Sequence, residues 1–117
     1  MAYMLLVIEP HGQRQARTER EGRELYERML RYSDDLQRRG LLTLGQSLRS
    51  DTAAARVTVR AGVPAVLDGP FAEAREMIGG FFLLTCETRE QAIALARECP
   101  AAQWATIEVR ELGPCFQ

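Results

Sequence analysis

Two segments of this chain are apolar at every position, which restricts the folds available to it. They are residues 3–8 and residues 81–84. Uninterrupted apolar runs of this kind suit strands that are buried on both faces of a sheet. Only two segments have the periodicity of amphipathic helices, and two helices cover one face of a four-stranded sheet. The other face therefore needs a partner, and a homodimer packed sheet against sheet is the simplest closed solution.

Both helices are predicted from their caps as well as from their apolar periodicity. Residues 18–21 (Thr-Glu-Arg-Glu) and 88–91 (Thr-Arg-Glu-Gln) have the capping-box spacing, so a threonine is the expected N-cap of each helix. The first helix is expected over residues 19–39, with Gly40 in the left-handed position that follows it. The second helix is expected to end before Pro100.

Alternating or continuously apolar segments predict the strands. They are residues 3–8, 41–48, 55–60, 63–67, 81–86 and 104–111. The resulting order, β-α-β-β-(β)-β-α-β, predicts an α+β fold: a ferredoxin-like split βαβ antiparallel sheet with two helices on one face and an elaborated middle. No linker or internal repeat divides the chain, so one domain is expected over residues 1–117.

Charge and cysteine content exclude several classes of function. All fifteen cationic side chains are arginine, so neither a Schiff base nor a lysine general base is possible. A net charge of −1, with arginines interspersed among glutamates, predicts no direct binding to nucleic acid. Three cysteines without a CxxC spacing and a single histidine predict no metal site, and no cofactor is expected. No apolar run is long enough to cross a membrane, and we expect a soluble cytoplasmic protein.

The most specific motif lies within residues 66–84. A strand ends in Asp68-Gly69-Pro70-Phe71, and a charged connection then leads to Gly79-Gly80 and an apolar strand. This arrangement resembles the hallmark of the DGPF branch of the YCII-related family, and the similarity extends over almost the whole chain. The resemblance implies the fold of the dimeric α+β barrel group, which agrees with the homodimer expected from the apolar strands.

The resemblance also makes the only histidine, His11, a candidate site residue. Other YCII-related proteins carry one early in the region after the first strand, paired with an aspartate in a proposed acid–base site. The predicted first helix contains no histidine, and His11 lies in the turn before it. His11 is therefore either a displaced substitute that shuttles protons near neutral pH or an exposed loop residue.

Asp68 is the aspartate that the motif offers as a candidate catalytic residue, and it has two interpretations. An aspartate before Gly-Pro often accepts hydrogen bonds from nearby backbone N–H groups in an Asx-turn. Alternatively, Asp68 lies at the mouth of a cavity between the sheets, where nearby phenylalanines desolvate it and raise its pKa toward that of a general base. Gly69 permits a sharp turn and Pro70 makes it rigid, which suits either interpretation.

The candidate ligand-binding residues surround this turn. Glu73, Arg75 and Glu76 are expected in a solvated or inter-subunit salt-bridge cluster. Alternatively, Arg75 forms a clamp with Arg49 or Arg60 on a carboxylate or phosphate. Phe82 is either a core residue or part of the ligand platform. The full set of candidates is Gly69, Pro70, Phe71, Glu73, Arg75, Arg49 and Phe82.

Two hypotheses of function follow. The first is a small-ligand-binding or regulatory module linked to signalling, since the resemblance implies an association with alternative sigma factors. The alternative is a cofactor-free acid–base isomerase or lyase that acts on a small, anionic organic molecule, with Asp68 as base and His11 or an arginine as its helper. A buried Asp68 within hydrogen-bond reach of His11 favours the enzyme, and an isolated Asp68 favours the binding module.

Overall fold

The chain folds into one antiparallel sheet, a separate hairpin and two helices. The structure, a computed structural model, describes residues 2–117. The strands are β1 (Ala2–Pro10), β2 (Leu42–Ser47), β3 (Ala55–Arg60), β4 (Val63–Asp68), β5 (Glu76–Thr85) and β6 (Thr106–Glu111). The helices are α1 (Glu19–Arg38) and α2 (Arg89–Glu98), and short 3-10 turns occupy Asp51–Ala53 and Pro100–Gln103.

The main sheet has the strand order β2-β5-β1-β6, with every neighbouring pair antiparallel. Alternate residues of β1, from Tyr3 to Val7, are buried together with residues of both helices in one hydrophobic core. Both helices therefore pack on the same face of the sheet. The predicted α+β, ferredoxin-like fold is confirmed.

The caps of α1 explain where this helix begins and ends. The Thr18 hydroxyl accepts a hydrogen bond from the Glu21 N–H, and the Glu21 carboxylate accepts one from the Thr18 N–H. Gly40 has a φ of +71°, the left-handed conformation that favours glycine after a helix. The predicted capping box and helix are confirmed, and α1 ends one residue earlier than predicted because Arg39 forms the C-cap.

Contacts between α1, α2 and the sheet fill the core. Leu5, Leu36 and Leu84 are fully buried. Tyr32 of α1 packs edge-on against Phe82 with ring centroids 5.3 Å apart, and its hydroxyl donates a hydrogen bond of 2.7 Å to the Leu95 carbonyl. This bond gives the only polar atom of the Tyr32 side chain a partner inside the core.

The face of the sheet opposite the helices stays partly exposed. Met4, Leu6 and Ile8 of β1 alternate with the core residues and point to this second face. Their partners across β5 are also apolar, with Leu6 opposite Phe81 and Ile8 opposite Ile78. The molecule is only 19 Å thick in its shortest dimension, as expected for one sheet with one layer of helices.

The elaborated middle of the chain forms a hairpin of its own. Strands β3 and β4 pair with each other and not with the main sheet, and every residue in them is exposed. Val57, Val59 and Val66 are 59–66% exposed. The hairpin carries the apolar alternation predicted for a strand, but it does not join the hydrophobic core of the main sheet.

The starts of two strands differ from prediction by two residues or more. Strand β5 begins at Glu76 and not at residue 81, so Gly79 and Gly80 lie inside it. The register of β1 against β5 shifts between Val7 and Ile8, and Gly79 is the extra residue of the resulting bulge. Strand β6 begins at Thr106, two residues later than predicted, because the 3-10 turn at Pro100–Gln103 takes Trp104 as its C-cap.

Candidate functional site

His11 and Asp51 form a close pair at one end of the main sheet. His11 follows β1 directly, and Asp51 begins the 3-10 turn after β2. The His11 Nε2 and Asp51 Oδ2 atoms are 2.7 Å apart, although the residues are 40 positions apart in sequence. The side chain of Asp51 is 9% exposed and that of His11 is 19% exposed. A histidine held by a nearly buried carboxylate is the arrangement that general acid–base sites use.

The segment of residues 69–75 (the 69–75 segment) holds both members of this pair through its backbone. The Phe71 N–H donates a 3.1 Å hydrogen bond to Asp51 Oδ2, the oxygen that also contacts His11. The His11 N–H donates a 2.8 Å hydrogen bond to the Arg75 carbonyl. The 69–75 segment therefore positions His11 and Asp51 through hydrogen bonds of its main chain.

Gly69 allows the 69–75 segment to approach the Asp51 turn closely. Its N–H donates a 2.8 Å hydrogen bond to the Ala54 carbonyl. A Cβ atom at position 69 would overlap the backbone oxygen of Asp51. Glycine is required here for close packing of two backbones.

The surroundings of Asp51 keep it ionised at neutral pH. Burial alone would raise the pKa of Asp51. The hydrogen bonds from the Phe71 N–H and from the His11 ring, together with the electrostatic effects of His11 and Arg56, outweigh burial and lower this pKa below its usual value. When neutral His11 donates its Nε2–H to this carboxylate, the lone pair that accepts a further proton lies on Nδ1.

A cavity of about 570 Å³ is bordered by Asp51 and not by His11, and we call it the Asp51 cavity. Arg49, Arg56 and Phe71 line it together with Asp51, and the guanidinium carbon of Arg56 lies 3.9 Å from the centroid of the Phe71 ring. Within residues 2–117, neither arginine forms an ion pair with a carboxylate. Both cations are thus available to an anionic ligand.

Asp68 does not have the environment that its catalytic interpretation requires. It is the exposed last residue of β4 and lies across from Ala55 of β3. Its side chain makes no hydrogen bond with any residue in the part of the chain that the structure describes. Asp68 in this structure therefore gives no support to the enzyme hypothesis, which depends instead on the contact of His11 with Asp51.

The other predicted site residues are divided among several places. Arg49 and Phe71 line the Asp51 cavity. Glu73 and Arg75 are exposed and form no ion pair within residues 2–117, and a salt-bridge cluster between subunits stays a prediction. Phe82 belongs to the core and also borders a second cavity, beneath α1.

Gly69 and Pro70 form the connection after β4. Arg60 lies at the far end of the hairpin, where it contacts the neighbouring Val59 carbonyl. Asp51 and Arg56 were missed as site residues in the sequence analysis. No spacing signal pointed to them, because Asp51 meets His11 through the fold alone.

Glu9 and Arg14 form a second buried pair close to the first. Glu9 is 6% exposed, and the Arg14 Nε lies 2.6 Å from Glu9 Oε1. Arg14 also donates hydrogen bonds to the carbonyls of Leu48 and Gly79. It therefore ties the end of β1 to the segment that leads into Asp51 and to the bulge of β5.

Stability should depend on pH through Asp51. A carboxyl group with a lowered pKa in the folded state stabilises the protein above its unfolded pKa of about 4, and this contribution is lost as the pH falls through the folded value. We expect the free energy of unfolding of the wild type to decrease as the pH is lowered below about 4. In Asp51→Asn we expect this decrease to be smaller. Urea denaturation from pH 3 to pH 7 measures it. Asp68→Asn is the matched control, and an equal flattening in that variant would refute the assignment.

Gly69→Ala should disturb the pair without touching either side chain. The new methyl group would overlap the Asp51 backbone, and overpacking of this kind costs about 1–3 kcal/mol. Gly113→Ala is the control, because the nearest atom to its Cβ is 3.9 Å away. Thermal denaturation of both variants compares them. Equal stability would show that the contact between Gly69 and the Asp51 turn is not tight.

Two further observations concern metal ligands and membrane-spanning helices. Within residues 2–117, no group of three histidine, cysteine, aspartate or glutamate side chains is arranged to hold a metal ion. In the same part of the chain, no helix combines the length and the apolar character needed to cross a membrane.

Comparison with known proteins identifies the family. The family model described as "YCII-related domain" matches residues 1–115. A protein of Rhizobium meliloti (strain 1021), called "Uncharacterized protein R00369", is 42% identical over 64 residues. That alignment covers 53% of this chain and 52% of the relative, so it spans about half of each protein. The match to the family model over nearly the whole chain shows that this protein belongs to the YCII-related family.

Proposed function

We propose that the protein is a cofactor-free acid–base enzyme that acts on a small organic anion, with His11 and Asp51 as its central pair. The observation that carries this proposal is the 2.7 Å contact between His11 Nε2 and the nearly buried Asp51 carboxylate. Their separation meets the distance required of an acid–base pair. The cavity that Asp51 borders has a volume within the range of small-molecule sites.

The two residues have different roles in this proposal. Asp51 stays ionised, orients the imidazole through Nε2 and stabilises the imidazolium when it forms. A substrate bound by Arg49 and Arg56 would extend from the Asp51 cavity past Asp51 to His11, where His11 Nδ1 takes a proton from a carbon next to a carbonyl group of the substrate. The imidazolium then returns that proton to another atom of the same molecule, which is the proton balance of an isomerase.

Arginines supply the recognition of the substrate. Arg49 and Arg56 line the Asp51 cavity without a carboxylate partner in residues 2–117. A guanidinium group binds a carboxylate through two parallel hydrogen bonds, which fixes orientation as well as charge. Arg56 is held by its stacking on Phe71 and is already positioned for this contact. A small carboxylic acid with an adjacent carbonyl group fits this set of side chains.

A homodimer would complete the site. The Asp51 cavity is bounded by Ile8 and Ile78, which lie opposite each other on the face of the sheet that the helices leave uncovered. A second copy packed on this face would bury it and close the cavity against water. Exclusion of water strengthens every electrostatic interaction within a site.

The dimer is tested at the centre of that face. Leu6 lies between Phe81 and Glu108 on the neighbouring strands. Leu6→Asp should convert the dimer into a monomer, because the new carboxylate would be buried without a partner. Ala94→Asp on the exposed side of α2 is the control and should remain dimeric. Sedimentation equilibrium at micromolar concentration distinguishes them, and a monomeric wild type would contradict the proposed assembly.

Deuterium exchange tests the proton-transfer step by itself, whichever product the complete reaction forms. We expect the protein to catalyse exchange of the carbon-bound hydrogens of at least one small 2-oxo or 3-oxo acid in D₂O, followed by proton NMR. Loss of general acid–base catalysis should slow this exchange by about 10²–10⁴-fold in His11→Asn. Asp51→Asn should also be slowed, whereas Asp68→Asn should exchange at the wild-type rate.

Three outcomes separate the candidate functions. Exchange that depends on Asp68 and not on His11 would restore Asp68 as the base. Binding of these acids without any exchange would favour the ligand-binding or regulatory module linked to signalling that the family resemblance implies. Failure to bind or exchange any of them would contradict the proposed substrate class.

A further inference from the structure

A second and larger cavity lies beneath the first half of α1, and we call it the α1 cavity. Its volume is about 780 Å³, and neither His11 nor Asp51 borders it. Val7 and Phe82 of the sheet and Met29 of α1 contribute apolar surface, and Trp104 lies at its side. The α1 cavity therefore lies on the helix-covered face of the sheet, whereas the Asp51 cavity adjoins the uncovered face.

Small residues keep this space open. Gly22 borders the α1 cavity from within α1, and a Cβ atom placed there would have no neighbour within 4 Å. A glycine inside a helix lowers the stability of the helix by about 1 kcal/mol relative to alanine, so Gly22 makes α1 less stable. Tyr26 and Leu30 of the same helix also border the cavity and remain 51% and 45% exposed. The apolar side of α1 thus faces an unfilled space at this end.

The charges around the α1 cavity leave one cation without a carboxylate. Arg14 pairs with Glu9 at 2.6 Å, and Arg23 pairs with Glu19 at 2.7 Å. Arg17 also borders the cavity and forms no ion pair within residues 2–117. Its guanidinium carbon lies 6.0 Å from the centroid of the Trp104 ring, which places its charge at the wall of the cavity.

We propose that the α1 cavity is a binding site for an amphipathic monocarboxylate. The carboxylate would bind Arg17 beside Trp104, and the apolar chain would lie between α1 and the sheet, against Met29 and Phe82. One unpaired guanidinium matches one negative charge, and the apolar lining matches an alkyl or aryl body. The site is separate from the acid–base pair and does not depend on the proposed reaction.

Trp104 provides a direct measurement, because it is the only tryptophan in the chain. The probes are the straight-chain carboxylates from butanoate to decanoate, titrated below their critical micelle concentrations while Trp104 fluorescence is followed. Each added methylene buried in the cavity should tighten binding about fourfold, up to the length that the cavity accepts. The matched primary amides should bind about tenfold more weakly or worse, because they lack the charge. An unchanged fluorescence signal with every carboxylate would overturn the proposal.

Two substitutions locate the bound molecule. Arg17→Gln should weaken binding of the carboxylates about tenfold and leave binding of the amides unchanged, whereas Arg20→Gln, at an exposed arginine in the first turn of α1, should change neither. Gly22→Leu should block binding by filling the cavity, and it should not destabilise α1 because the position is open and leucine favours helix. Wild-type affinity in either Arg17→Gln or Gly22→Leu would overturn the proposal.

A third substitution separates this site from the Asp51 cavity. Arg49→Gln should bind the carboxylates with wild-type affinity, because Arg49 borders the Asp51 cavity and not the α1 cavity. Loss of the fluorescence response in this variant would assign the ligand to the Asp51 cavity and overturn the proposed second site.

Discussion

The structure of this end of the molecule depends on the hydrogen bonds of the nearly buried Asp51 carboxylate. A buried charge is costly unless hydrogen bonds compensate it, and the partners of Asp51 come from distant parts of the chain. His11 reaches it from the end of β1, and the Phe71 N–H reaches it from beyond the hairpin. Asp51 itself follows β2, so its carboxylate links the connections that follow β1, β2 and β4. The specific Asp-Gly-Pro-Phe turn serves this junction with its backbone, while its own aspartate remains in solvent.

The same end of the sheet separates two chemically different spaces. Glu9 and Arg14 face the α1 cavity. Arg14 donates a hydrogen bond to the Gly79 carbonyl in the bulge of β5, and a Cβ atom at position 79 would overlap the Glu9 carboxylate. On the other face, Ile8 and Ile78 border the Asp51 cavity. Neighbouring residues of β1 and β5 thus serve opposite faces, as the alternation of a strand requires. Arg14 also bonds the Leu48 carbonyl and so supports the segment that carries Asp51.

Much of the fold followed from local physical signals, whereas the site did not. The capping box at Thr18, the glycine after α1 and the alternation of β6 each act within a few residues, so the sequence alone was sufficient to predict them. The contact between His11 and Asp51 spans 40 positions and depends on how two turns meet, and no local pattern reports it. Asp68 was predicted as a site residue because it lies in the most specific motif. A specific motif can also be required for packing of the backbone and not for chemistry. The contact of Gly69 with the Asp51 turn is such a case.

The pairing of His11 with Asp51 is tested most directly by NMR of the one imidazole in the chain. A ring N–H that is hydrogen-bonded to a nearly buried carboxylate exchanges slowly with water and resonates far downfield of the backbone amides. The structure predicts such a resonance, correlated to Nε2, in the wild type and in Asp68→Ala, and its loss in Asp51→Ala. Its absence from the wild type, or its loss in Asp68→Ala with retention in Asp51→Ala, would contradict the pairing.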